Sequence, residues 1–256
     1  MFQSCVESVI NTVDIRADLG IQTIHTVTGL GTLNEVIQVA NVRDLRYLAI
    51  TDQYNIDNPV RERMYLNSLV GVRDSRVKVI PGIELSLEGV TSNIMRDIRE
   101  LSWVTISDYT TPIRERSLEA MQMSYTRVAN SGIKAFPHPE QSYRYLLGSR
   151  DTVTGLVTET KKEFYSWFIP FCKSRRLWLG VSELSARERD LRPELIYWLK
   201  LAIANNNLLY LCSDARHSQD VGDFTSTLEI LNKLGVKKRQ ILNCNQVKLE
   251  QLFGKV

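Results

Sequence analysis

Seven short apolar runs in this 256-residue chain end at or near a side chain that can bind a metal or move a proton: Asp18, Asp52, Glu84, Asp108, His138, Glu183 and Asp214. Carboxylates and neutral imidazoles are the ligands that hydrolytic metals take, and the same groups serve as general acids and bases. A single acid at a strand end is ordinarily a turn former or a helix cap. Seven at equivalent places point to one shared pocket, working or inherited. The stretch "LYLCSDARHSQDVGDF" (209–224) puts the question most sharply. Arg216 stands two residues after Asp214, where a second ligand would be useful, and a guanidinium keeps its proton and cannot ligate.

The elements that would bring these residues together are legible as an alternation. Runs of strand character occupy 12–20, 45–52, 77–85, 101–108, 133–138, 177–184 and 207–214. Segments of helical period lie between them near 33–43, 59–70, 112–131, 159–175, 191–205 and 223–235. Strands alternating with helices long enough to cross over predict a mostly parallel sheet, and seven such units favour a closed α/β barrel over an open sheet. In a parallel barrel the C-terminal strand ends meet at one mouth, so residues distant in sequence share it. No linker, low-complexity tract or repeat divides the chain, which reads as one domain over residues 1–256.

Composition narrows the class of protein. A net charge of +3, with 43% hydrophobic and 24% charged residues, is ordinary for a globular protein and supplies no strong case for nucleic acid. The short basic runs "KSRR" (173–176) and "KKR" (237–239) read as solvated helix ends. Four cysteines, Cys5, Cys172, Cys212 and Cys244, are scattered without a C-x-x-C pair. That pattern fits a reduced, cytoplasmic protein, with Cys212 a buried structural thiol. No window approaches the roughly 18 apolar residues of a membrane span, and the N-terminus lacks a signal-peptide pattern. The aromatic stretch "EFYSWFIPF" (163–171) suits a core helix or an interface.

In the order and placement of its strand-end motifs, the chain resembles the PHP superfamily, named for polymerase and histidinol phosphatase. The resemblance runs from about Asp18 to Asn243. "DLGIQT" stands where the family has D-L-H-x-H-T, "TDQ" where it has T-D-H, and "IPGIEL" keeps its P-G-x-E. His138-Pro139 keeps its H-P pair, and "SDARHSQDVG" stands where it has S-D-A-H followed by an acidic-Val-Gly. What the resemblance implies is a distorted (β/α)7 TIM-like barrel of PHP type. The family uses up to three metal ions to hydrolyse phosphoesters.

By the same resemblance, the family's metal ligands survive here as Glu84, His138 and Asp214. The former histidine positions hold Gly20, Gln22, Gln53, Tyr109 and Arg216, so a three-metal centre is not expected. Asp18, Asp52, His25 and His217 are candidates for a second shell, with both histidines read as exposed loop residues. Arg216 is expected to replace lost metal charge by pairing with Glu84 and Asp214.

Two functions follow as expectations. The first is a non-catalytic barrel without a cofactor, a pseudoenzyme serving as scaffold, partner-binding or ligand-binding module through a protein partner or self-association. PHP domains with eroded ligands in some replicative polymerases are similar. The second is a phosphoesterase with one divalent ion (Mn, Zn or Mg) on Glu84, His138 and Asp214. An RNA-binding subunit resembling the PHP-like ribonuclease P protein ranks below both, for want of basic and aromatic interleaving.

Overall fold

The computed structural model describes residues 9–55, 57–73, 76–87, 89–99, 101–107, 117–141 and 157–255. In chain order its strands and helices are β1 (Ala17–Ile21), α1 (Leu33–Val42), β2 (Tyr47–Ile50), α2 (Pro59–Val70), β3 (Lys78–Ser86), α3 (Ser92–Asp97), β4 (Trp103–Ser107), α4 (Leu118–Ala129), β5 (Ala135–Phe136), α5 (Glu159–Ser174), β6 (Trp178–Ser182), α6 (Glu183–Arg187), α7 (Arg192–Ala204), β7 (Leu208–Cys212), α8 (Thr225–Lys233) and α9 (Gln246–Phe253). The seven strands form one sheet in sequence order, each pairing with the next in parallel.

The sheet closes between its first and last strands, but only at the C-terminal mouth. There Asp214 N donates to Gly20 O at 3.0 Å and Gln22 N to Ala215 O at 3.2 Å. Deeper in the barrel the two strands part, and the Asn243 side chain stitches the seam. Its Nδ2 donates to Ala17 O at 2.7 Å and Leu211 O at 2.9 Å, while its Oδ1 accepts from Leu211 N at 2.7 Å. A side-chain amide carries one donor group and one acceptor, like a peptide unit, so it can stand in for a missing rung. The fold is therefore a distorted (β/α)7 barrel, as the alternation predicted.

Two apolar layers hold it. An inner cluster includes Ala17, Leu19, Tyr47, Ile80, Trp103, Tyr210 and Cys212, and α9 plugs its base with Leu249 and Phe253. Trp103 donates its indole N–H to Leu19 O at 3.0 Å, satisfying a polar group that burial would otherwise strand. The outer cluster lies between strands and helices, and contains Phe164, Tyr165, Phe168 and Ile169 of α5. The aromatic stretch 163–171 is thus largely a core helix. Cys212 is buried, as expected of a structural thiol, and Cys172 is buried as well.

Several boundaries differ from the sequence reading. Residues 12–14 form a 3-10 turn before β1, so the first strand begins at Ala17. β5 keeps only two residues of the run 133–138, because Pro137 lacks an amide N–H to continue the ladder. Helices α3, α6 and α9 were not anticipated; α3 and α6 are too short to establish a 3.6-residue period. Among the described residues, no helix is long and apolar enough to cross a membrane.

Candidate active site

The mouth is built by an irregularity in β1. Its register with β2 shifts between Asp18 and Ile21, where three steps on β1 match two on its neighbour. Ala17 and Leu19 face the inner cluster, whereas Ile21 packs in the outer one. An extra residue of this kind re-aims the side chains beyond it. It brings Gln22 to Glu84, with Nε2 donating to Glu84 Oε2 at 3.4 Å; Gln22 Oε1 accepts from Thr28 Oγ1 at 2.6 Å. The residue at a former histidine position has become a partner of the surviving glutamate. Gln53 lies alongside Glu84 through a parallel backbone bridge.

His138 sits between two carboxylates. Its Nε2 lies 3.6 Å from Asp214 Oδ2 and its Nδ1 3.6 Å from Glu140 Oε1. Burial acts to lower the imidazole pKa, but Asp214 first and then Glu140 outweigh it and hold His138 up at about 9. Glu140 is wholly buried and further fixed by Ser185 Oγ at 2.5 Å and Trp198 Nε1 at 3.3 Å. Asp214 adopts a positive φ of 53°, a left-handed backbone that Asp tolerates better than most residues. This turn leads the chain to Ala215, which pairs with Ile21.

Two hydroxyls complete the interior. Tyr210 OH and Ser107 Oγ are buried and have no hydrogen-bond partner among the described residues. Burial, followed by the proximity of Cys212, Glu84 and Asp214, pushes the Tyr210 phenol well above its usual range. Tyr210 carries no cue in the sequence, where it reads as one more apolar residue of β7. Glu140 was missed because "HPEQ" reads as an ordinary turn after a strand.

The remaining predicted residues divide. Arg216 and His217 are both exposed and line a cleft of about 340 Å³ beside Asp214. Arg216 makes no ion pair with Glu84 or Asp214, which corrects the expected internal pair. The charge beside Asp214 is supplied by His138 instead. At Gly20 a Cβ would lie 2.4 Å from Cys212 Cβ, so β7 fills the space beside it.

Asp18 and Asp52 are structural clamps. Asp18 accepts from Ser213 N at 3.0 Å and Gly222 N at 2.8 Å; burial raises its pKa to about 6 despite these bonds. Asp52 accepts from Thr23 N, Thr23 Oγ1 and Thr26 Oγ1, each at 2.7 Å, and from Tyr65 OH. His25 is not the exposed loop residue expected. It stacks on Tyr65, ring centroids 3.6 Å apart, and its Nε2 lies 3.1 Å from Oε2 of the buried Glu62. Glu183 caps α8, accepting from Ser226 N at 2.9 Å and Thr227 N at 2.8 Å. Asp108 and Tyr109 lie outside the described residues.

As donors, His138 and Asp214 fit a divalent ion. One imidazole nitrogen faces Asp214 and the other faces Glu140, each at 3.6 Å, an ion-pair distance. Glu84 acts on the same imidazole electrostatically. Among the described residues, however, no three His, Cys, Asp or Glu side chains form a group that could hold an ion as they stand.

No family model matches the chain, and no curated protein matches it. Solved structures do. A histidinol phosphate phosphatase from Lactococcus lactis, complexed with zinc, L-histidinol and phosphate, has a TM-score of 0.57 at 11% identity, over 86% of this chain and 92% of that one. A protein from Listeria monocytogenes assigned to histidinol phosphatase has a TM-score of 0.60 at 13% identity, over 82% of this chain and 99% of that one. The chain thus has the barrel fold of the PHP-type histidinol phosphatases, as its strand-end motifs implied.

Proposed function

We propose that the protein is a phosphoesterase of reduced metal complement, with one divalent ion held by His138 Nε2 and Asp214 and with Glu84 as the further carboxylate. The observation that carries this reading is the bracketing of His138 by Glu140 and Asp214 at the mouth of the barrel. The fold neighbours lend it support, since both bear the name of a phosphatase and one holds zinc. A bound ion would polarise a phosphoryl oxygen and activate water.

The chain's own groups do the rest. Glu140 faces Nδ1 of the imidazole at 3.6 Å and is itself fixed by Ser185 and Trp198. His138 must release the proton that its two carboxylates favour before Nε2 can act as a ligand. Gln22 holds Glu84 in place. Tyr210 OH is buried near these carboxylates without a hydrogen-bond partner among the described residues.

A second reading, the non-catalytic barrel, is favoured by Gly20. No side chain at that position can enter the mouth while Cys212 occupies the space, so one ligand place is structurally closed. Metal analysis of purified protein, joined to hydrolysis of p-nitrophenyl phosphate and L-histidinol phosphate in manganese or zinc, separates the two. The phosphoesterase reading expects bound metal and turnover that His138→Ala and Asp214→Asn abolish. Absence of both metal and turnover hands the case to the non-catalytic barrel.

A further inference from the structure

The base of the barrel, opposite the mouth, carries a charge pattern that neither function above uses. Arg16 stands immediately before β1, Arg46 immediately before β2, and Lys78 opens β3. The three are neighbours across the sheet: Arg46 N donates to Arg16 O at 2.8 Å and Lys78 N to Arg46 O at 2.9 Å. Lys134 precedes β5 in the same way, its carbonyl accepting from Trp178 N at 2.9 Å. Like charges on adjoining strands repel, so a row of cations here is held at a cost in stability.

The two short basic runs meet at this same end. Lys173 to Arg176 lie between α5 and β6, and Lys173 Nζ donates to Asn206 O, just ahead of β7. Lys237 to Arg239 lie beside the start of β7, where Ile241 bridges to Leu209. Lys238 reaches Asp14, in the turn before β1, at 2.7 Å. The base helix α9 adds Lys248, 5.6 Å from the Trp178 ring, and Lys255 follows it, its carbonyl accepting from Lys78 Nζ at 3.1 Å. What read in the sequence as separate helix ends is one rim in three dimensions.

Acids at this end are outnumbered among the described residues. Asp44 faces Arg16 at 3.2 Å and Arg46 at 3.5 Å, and Asp14 faces Lys238. The carboxylates Asp18, Asp52, Glu84 and Asp214 gather at the opposite end. A net charge of +3 therefore averages an acidic mouth and a strongly basic base.

The uncharged side chains exposed at the base are aliphatic. On α9, Val247 is 63% and Leu252 41% exposed, and Val13 in the turn before β1 is 73% exposed. None of the described aromatic side chains is exposed, so the base offers no platform on which nucleotide bases could stack. Cations set among exposed aliphatic groups suit a lipid surface, where head groups meet the charge and the acyl boundary receives the methyl groups.

We infer that the base of the barrel is a docking surface for an anionic membrane, on which the protein lies with its mouth turned to the water.

Sedimentation of the full chain with vesicles of phosphatidylcholine alone, or with about one-third phosphatidylserine, tests this. Binding to the anionic vesicles alone is expected, and salt at about 0.5 M should reverse it by screening. Lys134→Glu joined to Arg239→Glu should weaken binding by at least about tenfold. Arg61→Glu joined to Arg189→Glu makes the same change in net charge at exposed positions on the mouth side, and should leave binding unchanged. Val247→Ser joined to Leu252→Ser should weaken binding several-fold at every ionic strength. Circular dichroism checks each variant's fold, and Lys134→Gln joined to Arg239→Gln substitutes should the charge reversals misfold. Equal binding to neutral and anionic vesicles overturns the inference, as does equal loss from the base pair and the mouth-side pair. Tighter binding to duplex RNA than to anionic vesicles also overturns it, and makes the base a nucleic-acid surface instead.

Discussion

Gln22 donates its side-chain amide to Glu84 at 3.4 Å inside the mouth of the barrel. Because Gln22 also accepts from Thr28, both halves of the amide are engaged. Gln22→Leu should therefore destabilise the fold by roughly 1–3 kcal/mol, the usual cost of leaving buried polar groups short of a partner. Gln22→Glu should be worse, since two carboxylates would then meet. Urea denaturation measures both, and an unchanged midpoint in Gln22→Leu would remove the amide from the support of Glu84.

Gly20 and Cys212 compete for one volume. Gly20→Ala would set two Cβ atoms 2.4 Å apart, and overpacking of this kind costs about 1–3 kcal/mol. Cys212→Ala should give no relief, because the conflict lies at Cβ. In a Cys212→Gly background the penalty of Gly20→Ala should largely vanish, a coupling that a double-mutant cycle reads directly.

Protons and metal compete at His138. The imidazole pKa, raised to about 9 by Asp214 and Glu140 against the pull of burial, means that Nε2 is protonated at neutral pH. Metal affinity should rise with pH by about tenfold per unit up to that value. Chelator-competition titrations with zinc or manganese at three pH values test this, and a flat profile would exclude His138 as a ligand. Without metal, the imidazolium stabilises the fold fully below its ordinary pKa of 6.5, and that contribution is lost as pH rises through about 9.

Asp18 gives a separate acid-side signature. Its carboxyl is raised by burial from 3.8 to about 6, so the folded state holds the proton more tightly than the unfolded chain. Stability should consequently fall as pH rises from about 4 to 6 and then level off. The shift corresponds to on the order of 3 kcal/mol. Asp18→Asn should flatten that limb while weakening the bonds to Ser213 and Gly222, so urea midpoints between those pH limits distinguish it from the wild type.

Glu183 joins α6 to the start of α8 through two backbone N–H groups and Arg187. Glu183→Ala should cost about 2 kcal/mol by removing this cap. Hydrogen exchange at the Ser226 and Thr227 amides should speed up, and unchanged protection there would contradict the assignment.

The architecture and the residues gathered at the mouth were legible in the sequence because each depends on local pattern. Alternating strand and helix periods gave the barrel, and strand-end chemistry gave Glu84, His138 and Asp214. The same cue also selected Asp18, Asp52 and Glu183, whose carboxylates hold backbone amides in place. Nothing in residue type separates an acid aimed at solvent from one clamped by its own chain. Arg216 illustrates the converse: its place in the motif suggested a pair with the carboxylates, yet His138 supplies the charge beside Asp214. The β1 irregularity and the Asn243 stitch depend on three-dimensional register, which periodicity does not carry.

The Asn243 stitch has a consequence for biogenesis. Strands β1 and β7 are joined at depth by a residue that follows both, and α9 stoppers the base after that. Strands made early in translation consequently wait beside an open seam, their inner apolar faces uncovered, until residues 243–253 have cleared the ribosome. Long-range closure of this sort is slow and exposes the chain to aggregation. Closure of the barrel thus depends on residues that follow every one of its strands.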